Sequence, residues 1–211
     1  MMTFLEAINH VIAEVGNAPV NDENVNLPSV ASAKLRLAEA SRAVQKRAYW
    51  FNREFDVMLP VNPATDPTDP NKIPVPANAT RILAATPRFL LIRNGFAYDP
   101  YTQSDQFPAN ESVCVDLKYE REWEEMPQEA HDCIYLLASA HHVRIQTEDI
   151  NKHDQIMAAY RDAMIELKKT DLEMRKHNSL YTNPRAVRLR AGVRPYRRSG
   201  YINPDLPGGG R

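Results

Sequence analysis

Cysteine is nearly absent from this chain of 211 residues: its two thiols, Cys114 and Cys133, stand far apart and in apolar surroundings. Two separated residues supply neither a disulfide framework nor a zinc ligand set, so both are expected to be reduced core thiols. Long apolar runs are missing as well. Stretches such as Phe89-Leu-Leu-Ile92 and Ile134-Tyr-Leu-Leu-Ala138 fall far short of the about 20 residues that a membrane helix requires. Met1 to Gly16 lacks the cationic segment and the small-residue cleavage site of a secretory signal, which predicts a soluble protein made in a cytoplasm. There is no Gly-x-Ser-x-Gly elbow, no phosphate-binding glycine loop and no Ser/His/Asp set assignable from order or spacing. Gly208-Gly-Gly210 has no strand before it or helix after it and reads as a terminal linker. His141 and His142 are adjacent, and helical neighbours point about 100° apart, so they cannot share one metal ion. One is expected at the core edge and the other at the surface. No catalytic, cofactor or metal residue is expected.

What the chain has is an uneven distribution of charge. Residues 185–211 hold seven arginines (185, 188, 190, 194, 197, 198 and 211) against one acid, Asp205. Of 26 basic and 27 acidic residues, 19 and 26 remain in residues 1–184, so a body of net charge −7 carries an appendage of net charge +6. The appendage has no apolar periodicity and cannot fold alone. Ordering its 27 residues costs roughly 27–54 kcal/mol at about 1–2 kcal/mol each, while apolar burial returns only about 25 cal/mol per Å². A small docking site would not suffice. Extended, it reaches at most about 90 Å at ~3.3 Å per residue. Composition is compatible with a disordered tail and with a segment that lies across a partner. The acidic body argues against a nucleic-acid binder with a wholly basic face.

The first 50 residues read as two helices. Thr3-Phe-Leu-Glu6 has the form of a capping box, and Leu5, Ile8, Val11, Ile12 and Val15 recur at helical spacing until Gly16. After a loop from Asn17 to Leu27, Pro28-Ser29 opens a second helix through Leu35, Leu37, Val44 and Ala48 to about Tyr49. Its polar face holds Lys34, Arg36, Arg42, Lys46 and Arg47. The helical period then lapses until about Met126, and the middle is β-rich. Phe55 to Leu59 reads as a strand, and six prolines between Pro60 and Pro76 forbid regular structure there. Phe89 to Arg93, then Asn94-Gly95, then Phe96 to Tyr98 predicts a hairpin, because Asn-Gly supplies the two positive φ angles of a type I′ turn. Val113, Val115, Leu117 and Tyr119 alternate with Cys114, Asp116, Lys118 and Glu120 as in a half-buried strand.

Met126-Pro127-Gln-Glu129 places proline at the start of a third helix, with Ile134, Leu137, Ala138, His141 and Ile145 on one face. A fourth, longer helix carries Ile156, Tyr160, Ala163, Met164, Leu167 and Met174, ending near Asn178. The expected fold class is α+β: a four-helix bundle (residues 1–50 and 121–178), an inserted β-rich module (51–120) and an extended basic tail (179–211).

Two clusters carry possible chemistry. Glu120-Arg-Glu-Trp-Glu-Glu125 sets carboxylates beside an aromatic, the ingredients of a glycosidase site, yet consecutive acids at such a junction are more often solvated or paired across a subunit boundary. The tail's arginines with Tyr196 and Tyr201 have the chemistry to grip phosphates or stack on bases, or to anchor in an acidic groove of a protein partner. Arginines spread among prolines fit extended docking on a protein.

Three segments together, Ile8 to Val20, Gln45 to Glu54 leading to Leu59-Pro60, and Asn94 to Phe107, followed by Trp123-Glu-Glu-Met-Pro127, resemble the tail tubular protein A family of short-tailed bacteriophages. The resemblance covers about residues 5–145, and its most specific piece is Tyr98-Asp99 with Gln103-Ser-Asp105 and Phe107. It implies a structural virion protein without enzymatic activity: a head-to-tail adaptor forming a ring, generally of twelve copies, between the portal protein and the tail nozzle, around the channel through which DNA is ejected. It also implies a helical bundle with a β module and a C-terminal extension on the portal. Arg185, Arg188, Arg190, Arg194, Tyr196, Arg197 and Arg198 are the expected portal-docking residues. The rival class it implies is a tail-associated polysaccharide-degrading enzyme, with Glu122, Glu124 and Glu125 as first suspects. A free DNA binder is a third class and predicts steeply salt-dependent affinity.

Overall fold

In a computed structural model of the protein, residues 1–62, 71–86, 88–108 and 112–182 are described, with side chains to Met174. The order is α1 (Phe4–Ala13), α2 (Pro28–Gln45), a 3-10 turn at Trp50–Asn52, β1 (Arg53–Pro60), β2 (Ala79–Thr86), β3 (Leu91–Arg93), β4 (Phe96–Tyr98), β5 (Ser112–Tyr119), a second 3-10 turn at Trp123–Glu125, α3 (Gln128–Gln146) and α4 (Ile150–Thr182). The fold is mixed α+β with four helices and antiparallel strands. Among the described residues no helix is long and apolar enough to cross a membrane. The chain falls into two compact units, Met1–Asp171 and Leu172–Arg211.

Helix α1 starts where the capping box predicts: Thr3 Oγ1 accepts the Glu6 amide and the Glu6 carboxylate accepts the Thr3 amide at 2.7 Å. Gly16 closes the following turn at φ 81°. Helix α2 begins with Pro28 in its first turn and buries Val30, Ala33, Leu37, Ala40 and Val44 at alternating spacings of three and four. Leu35 is half exposed, contrary to its expected place in this stripe. Two residues from both Ala33 and Leu37, it points about 200° away from them on a helix of 3.6 residues per turn. Helix α3 packs against both α1 and α2. It is therefore buried around most of its girth, through Ala130, Cys133, Ile134, Leu137, Ala138 and Val143. One apolar cluster joins all of these but Val143 to Ile8, Val11 and Ile12 of α1 and to Leu167 of α4, with Tyr160 and Met164 packed on it, while Val143 packs with Ala140 and Ile156 in a smaller one.

The enclosure of α3 overturns two expectations. His142 is buried and His141 exposed, the reverse of a helix face running through His141, and Ile145 is exposed too. Met174, expected inside, is exposed, and α4 continues past the expected end at Asn178 to Thr182. Cys133 is a core thiol whose pKa burial pushes up to about 12. Cys114 is only half buried and meets the Asp56 carboxylate at 3.7 Å rather than apolar atoms.

β5 is the central strand of a three-stranded sheet in the order β1-β5-β2, antiparallel to both neighbours. Val113, Val115, Leu117 and Tyr119 face a second apolar cluster with Ile73, Leu90, Ala97 and Phe107. The β3–β4 hairpin turns through Asn94 at φ 53° and Gly95 at φ 81°, as Asn-Gly predicts. β2 had no signature in the sequence. Ala79–Thr86 is alanine-rich, buries only Ile82 deeply, and is held by its ladder to β5. Of the proline-rich stretch, residues 63–70 lie outside the described set; Ile73 and Val75 run beside the hairpin, Val75 N–H donating to Gly95 O and Ala97 N–H to Ile73 O, each at 2.9 Å. β1 bulges at Asp56, whose φ of 53° is unusual for a residue with a side chain. The Asp116 carboxylate holds the bulge, accepting the Asp56 amide at 3.2 Å and the Arg53 guanidinium at 2.7 Å.

Two chain crossings join helices to strands, and they lie side by side. Gln45, buried at the end of α2, accepts the Arg121 amide at 2.8 Å and donates to the Arg121 carbonyl at 3.0 Å and to Ser41 Oγ at 2.9 Å. Asn52, also buried, donates to the Gln45 and Arg47 carbonyls and accepts the Tyr49 amide. The Arg121 guanidinium reaches Phe51 O at 3.3 Å and Glu54 at 2.7 Å, with Glu125 at 3.7 Å. Lys118 Nζ donates to the Gln45 carbonyl at 3.1 Å, a cation on the carbonyl end of a helix. Asp171 accepts the Trp50 amide at 3.0 Å and ties α4 to the outgoing crossing.

Removing one side of this clamp leaves buried backbone groups unpaired, so Gln45→Ala should lower stability in urea unfolding by about 1–3 kcal/mol; a change under about 0.5 kcal/mol, usual for surface substitutions, would refute the clamp. His142 supplies a second expected outcome. Burial, and then the Arg36 guanidinium, hold its pKa below the ordinary 6.5. The unfolded chain thus binds the proton first, so stability is fully present above about pH 6.5 and declines as pH falls below it. Thermal midpoints across that range should show the decline, and His142→Asn should flatten it.

Candidate functional site

The return crossing carries the acid run from Glu120 to Glu125, and it forms no enclosed pocket. Glu120, Glu122, Glu124 and Glu125 are all exposed. Tyr119 ends β5 and Met126, buried, precedes α3, so the two ends of the run are anchored while its carboxylates face outward. Trp123 sits at its centre, stacked on the His131 ring at 4.3 Å between centroids and 11° between planes. The Trp123 carbonyl pairs with His131 Nε2 at 2.7 Å, and its indole N–H donates to the Met2 carbonyl at 2.9 Å. This aromatic is a fastener for the N-terminal segment, with Phe4 meeting it edge-on at 5.5 Å.

Beside the run lie two adjoining open hollows that share Arg42 and Glu120. The larger, about 340 Å³, has an apolar floor of Phe4, Leu37, Ala38, Trp123 and Met126. The smaller, about 180 Å³, is lined by Arg42, Lys46, Thr80 and Lys118. Arg81 stands opposite Lys118 on the neighbouring strand. Burial, against a favourable contribution from Glu120, and with Arg81 adding to the effect, holds the Lys118 ammonium below its ordinary pKa. Among the described residues Arg42 and Lys46 have no ion-pair partner. The four-residue spacing of Arg42 and Lys46 on α2 is legible in the sequence; Arg81 and Lys118 arrive from strands distant in the chain, and nothing in the sequence announced their meeting with α2.

Asp99, Gln103, Ser104, Asp105 and Phe107, which carry the specific part of the family resemblance, build one loop of the β module. Asp99 and Ser104 exchange backbone hydrogen bonds at 2.9 and 3.2 Å, and the buried Asp99 carboxylate accepts the Tyr101 amide at 2.8 Å. Burial alone would raise the Asp99 pKa, but the amides of Tyr101 and Thr102, the Thr102 hydroxyl and Arg88 outweigh it and hold the carboxyl below its ordinary value. The loop presents Tyr101 81% exposed at its tip. A further corner, where α3 turns into α4, exposes Ile145 and Ile150 beside Glu148, Asp149 and Arg144, around a hollow of about 270 Å³.

His141 and His142 point apart, as their adjacency requires, and among the described residues no group of three or more His, Cys, Asp or Glu side chains could hold a metal. Arg185, Arg188, Arg190, Arg194, Tyr196, Arg197 and Arg198 lie outside the described residues.

The family profile described as tail tubular protein matches residues 5–186. A protein of Klebsiella phage KP34, named tail tubular protein A, is 30% identical over 122 residues, which cover 56% of this chain. Those residues span 62% of that relative, less than two thirds of its length. With a single profile running from α1 into the tail, the chain belongs to the tail tubular protein family, a family of structural components of phage tails.

Proposed function

We propose that this chain is a ring-forming adaptor that joins the portal protein to the tail nozzle and surrounds the DNA exit channel. The observation that carries this reading is the family profile over residues 5–186, which takes in the helices, the β module and the start of the tail. In it the chain works as a four-helix bundle (1–50 and 121–178) with an inserted β-rich module (51–120) and an extended tail (179–211), as one of about twelve copies. Closing a ring needs head-to-tail contacts between different faces of the subunit, and exposed apolar side chains stand on separate elements: Phe55 and Met58 on β1, Ile145 and Ile150 at the α3–α4 corner. The tail, through Arg185, Arg188, Arg190, Arg194, Tyr196, Arg197 and Arg198, docks on an acidic groove of the portal. A net charge of −7 over residues 1–184 suits a channel past which phosphates must slide without sticking. The protein is placed in the virion, at the portal-proximal part of the tail, after assembly in the host cytoplasm.

The test is native mass measurement of the full chain with and without portal, beside a chain ended at Pro184. The full chain should assemble into a ring on the portal, and the shortened chain should lose portal affinity with DNA affinity unchanged. A shortened chain that binds portal as well as the full one would refute tail docking; steeply salt-dependent DNA affinity that disappears on shortening would favour a DNA binder instead. The enzymatic alternative is read in the same preparation: the triple change Glu122→Gln, Glu124→Gln, Glu125→Gln should leave any release of reducing sugar from host capsule unchanged.

A further inference from the structure

The two hollows at the helix–strand crossings have an apolar floor and a cationic rim, and the α3–α4 corner has the converse, an apolar tip flanked by carboxylates. Ile150 is 73% exposed, an unusual position for an isoleucine, and Ile145 beside it is 55% exposed. The corner is braced by its own hydrogen bonds and ion pair. Thr147 Oγ1 donates to the Val143 carbonyl at 2.9 Å, Asp149 accepts the Lys152 amide at 3.0 Å, and Lys152 reaches Glu14 at 3.1 Å, bracing the turn on the end of α1. Glu148 holds a left-handed backbone at φ 54° in this turn, a conformation rare outside glycine and asparagine. On the opposite side, Arg81 and Lys118 face each other across strands as like charges, an arrangement that costs stability. Arg42 and Lys46 add two more cations with no ion-pair partner among the described residues. A body that is acidic overall thus gathers four cations, Arg42, Lys46, Arg81 and Lys118, at one place.

We propose that the hollows at Arg42 receive the α3–α4 corner of a second copy of this chain, with Ile150 over Phe4 and Trp123, and Glu148 and Asp149 against Arg42, Lys46 and Lys118. The inference rests on the ring reading above and names one of its lateral contacts. Charge complementarity selects the occupant. Whole copies carry a net charge of only −1, so electrostatic pairing between them is local, the carboxylates of the corner against the cations around Arg42. The match runs both ways, since the corner also carries a cation, Arg144, and the hollows carry the acids Glu120 and Glu122. Hollows and corner lie at opposite ends of α3, whose 19 residues extend about 28 Å at ~1.5 Å per residue. Two surfaces so separated make a head-to-tail contact that propagates from copy to copy, as a ring demands.

A charge exchange tests this, read by sedimentation velocity of the full-length chain over a range of concentrations, alone and with portal. Arg42→Glu with Lys46→Glu should weaken self-association at least about tenfold, as should Glu148→Lys with Asp149→Lys, and the four changes together should restore it. Arg161→Glu with Lys168→Glu, an equal change in net charge on the exposed surface of α4, should have little effect. Circular dichroism of each variant separates loss of association from loss of folding. Wild-type chains that assemble while both reversed pairs assemble equally well would overturn this contact and leave the ring reading standing. Failure of the fourfold variant to recover, or an equal loss in the Arg161/Lys168 control, would overturn it too. Wild-type chains that stay monomeric both alone and with portal would overturn the ring reading itself. Reversed pairs that lose affinity for duplex DNA with self-association unchanged would assign the cations to phosphate instead.

Discussion

Everything in the body depends on how the chain passes twice between its helical and its β part without leaving buried backbone unpaired. A sheet that leaves a helical core and returns to it must carry two stretches of irregular chain through the boundary, where neither helix nor ladder can satisfy their amides. Here one side chain answers for the return stretch: Gln45 presents an acceptor and a donor to the Arg121 amide and carbonyl, as a neighbouring strand would. Asn52 does the corresponding work for the outgoing stretch, and the Arg121 guanidinium bridges the two. Because glutamine and asparagine carry both a donor and an acceptor on a short stem, each closes two or more bonds without burying a charge. The three-stranded sheet is thereby tied to α2 at the base of β5.

The same clamp shapes the outer surface. Holding Glu120 to Glu125 in an anchored turn turns their carboxylates to solvent and leaves Trp123 as the contact for the N-terminal segment. It also draws the end of α2 against β2 and β5, so that cations from three elements gather beside an acid run. The loop closed on Asp99 follows the same logic. Asp99 and Ser104, which carry part of the family resemblance, close the loop through each other's backbone, and its tip presents Tyr101.

Much of this was legible in the sequence wherever a local rule governs conformation. The capping box at Thr3 and Glu6, the Asn94-Gly95 turn and the alternation from Val113 to Tyr119 each depend on neighbours a few residues away, and each stands as expected. β2 was not legible, because Ala79–Thr86 has little β-forming preference and becomes a strand by pairing with β5 more than 25 residues later. Leu35, Ile145 and Met174 were assigned inward from apolarity, yet which side of a helix is covered is set by the helices that reach it. His142 is the clearest case: α3 packs against both α1 and α2, so its buried arc is too wide for a single stripe to describe. The cationic hollows were illegible for the same reason, their residues being joined only by packing.

By itself the sequence determined that the protein has a mixed set of helices and strands, an acidic body with an arginine-rich end, no disulfide scaffold, and the residues of a tail tubular protein in their order. Each of these follows from composition or from contacts within a few positions of the chain. The tertiary structure alone decided which faces of α3 are covered, that Gln45 clamps Arg121, that the glutamate run lies open, and where Arg42, Lys46, Arg81 and Lys118 meet. Those are relations between residues tens of positions apart, and their geometry exists only once long-range packing has closed the chain upon itself.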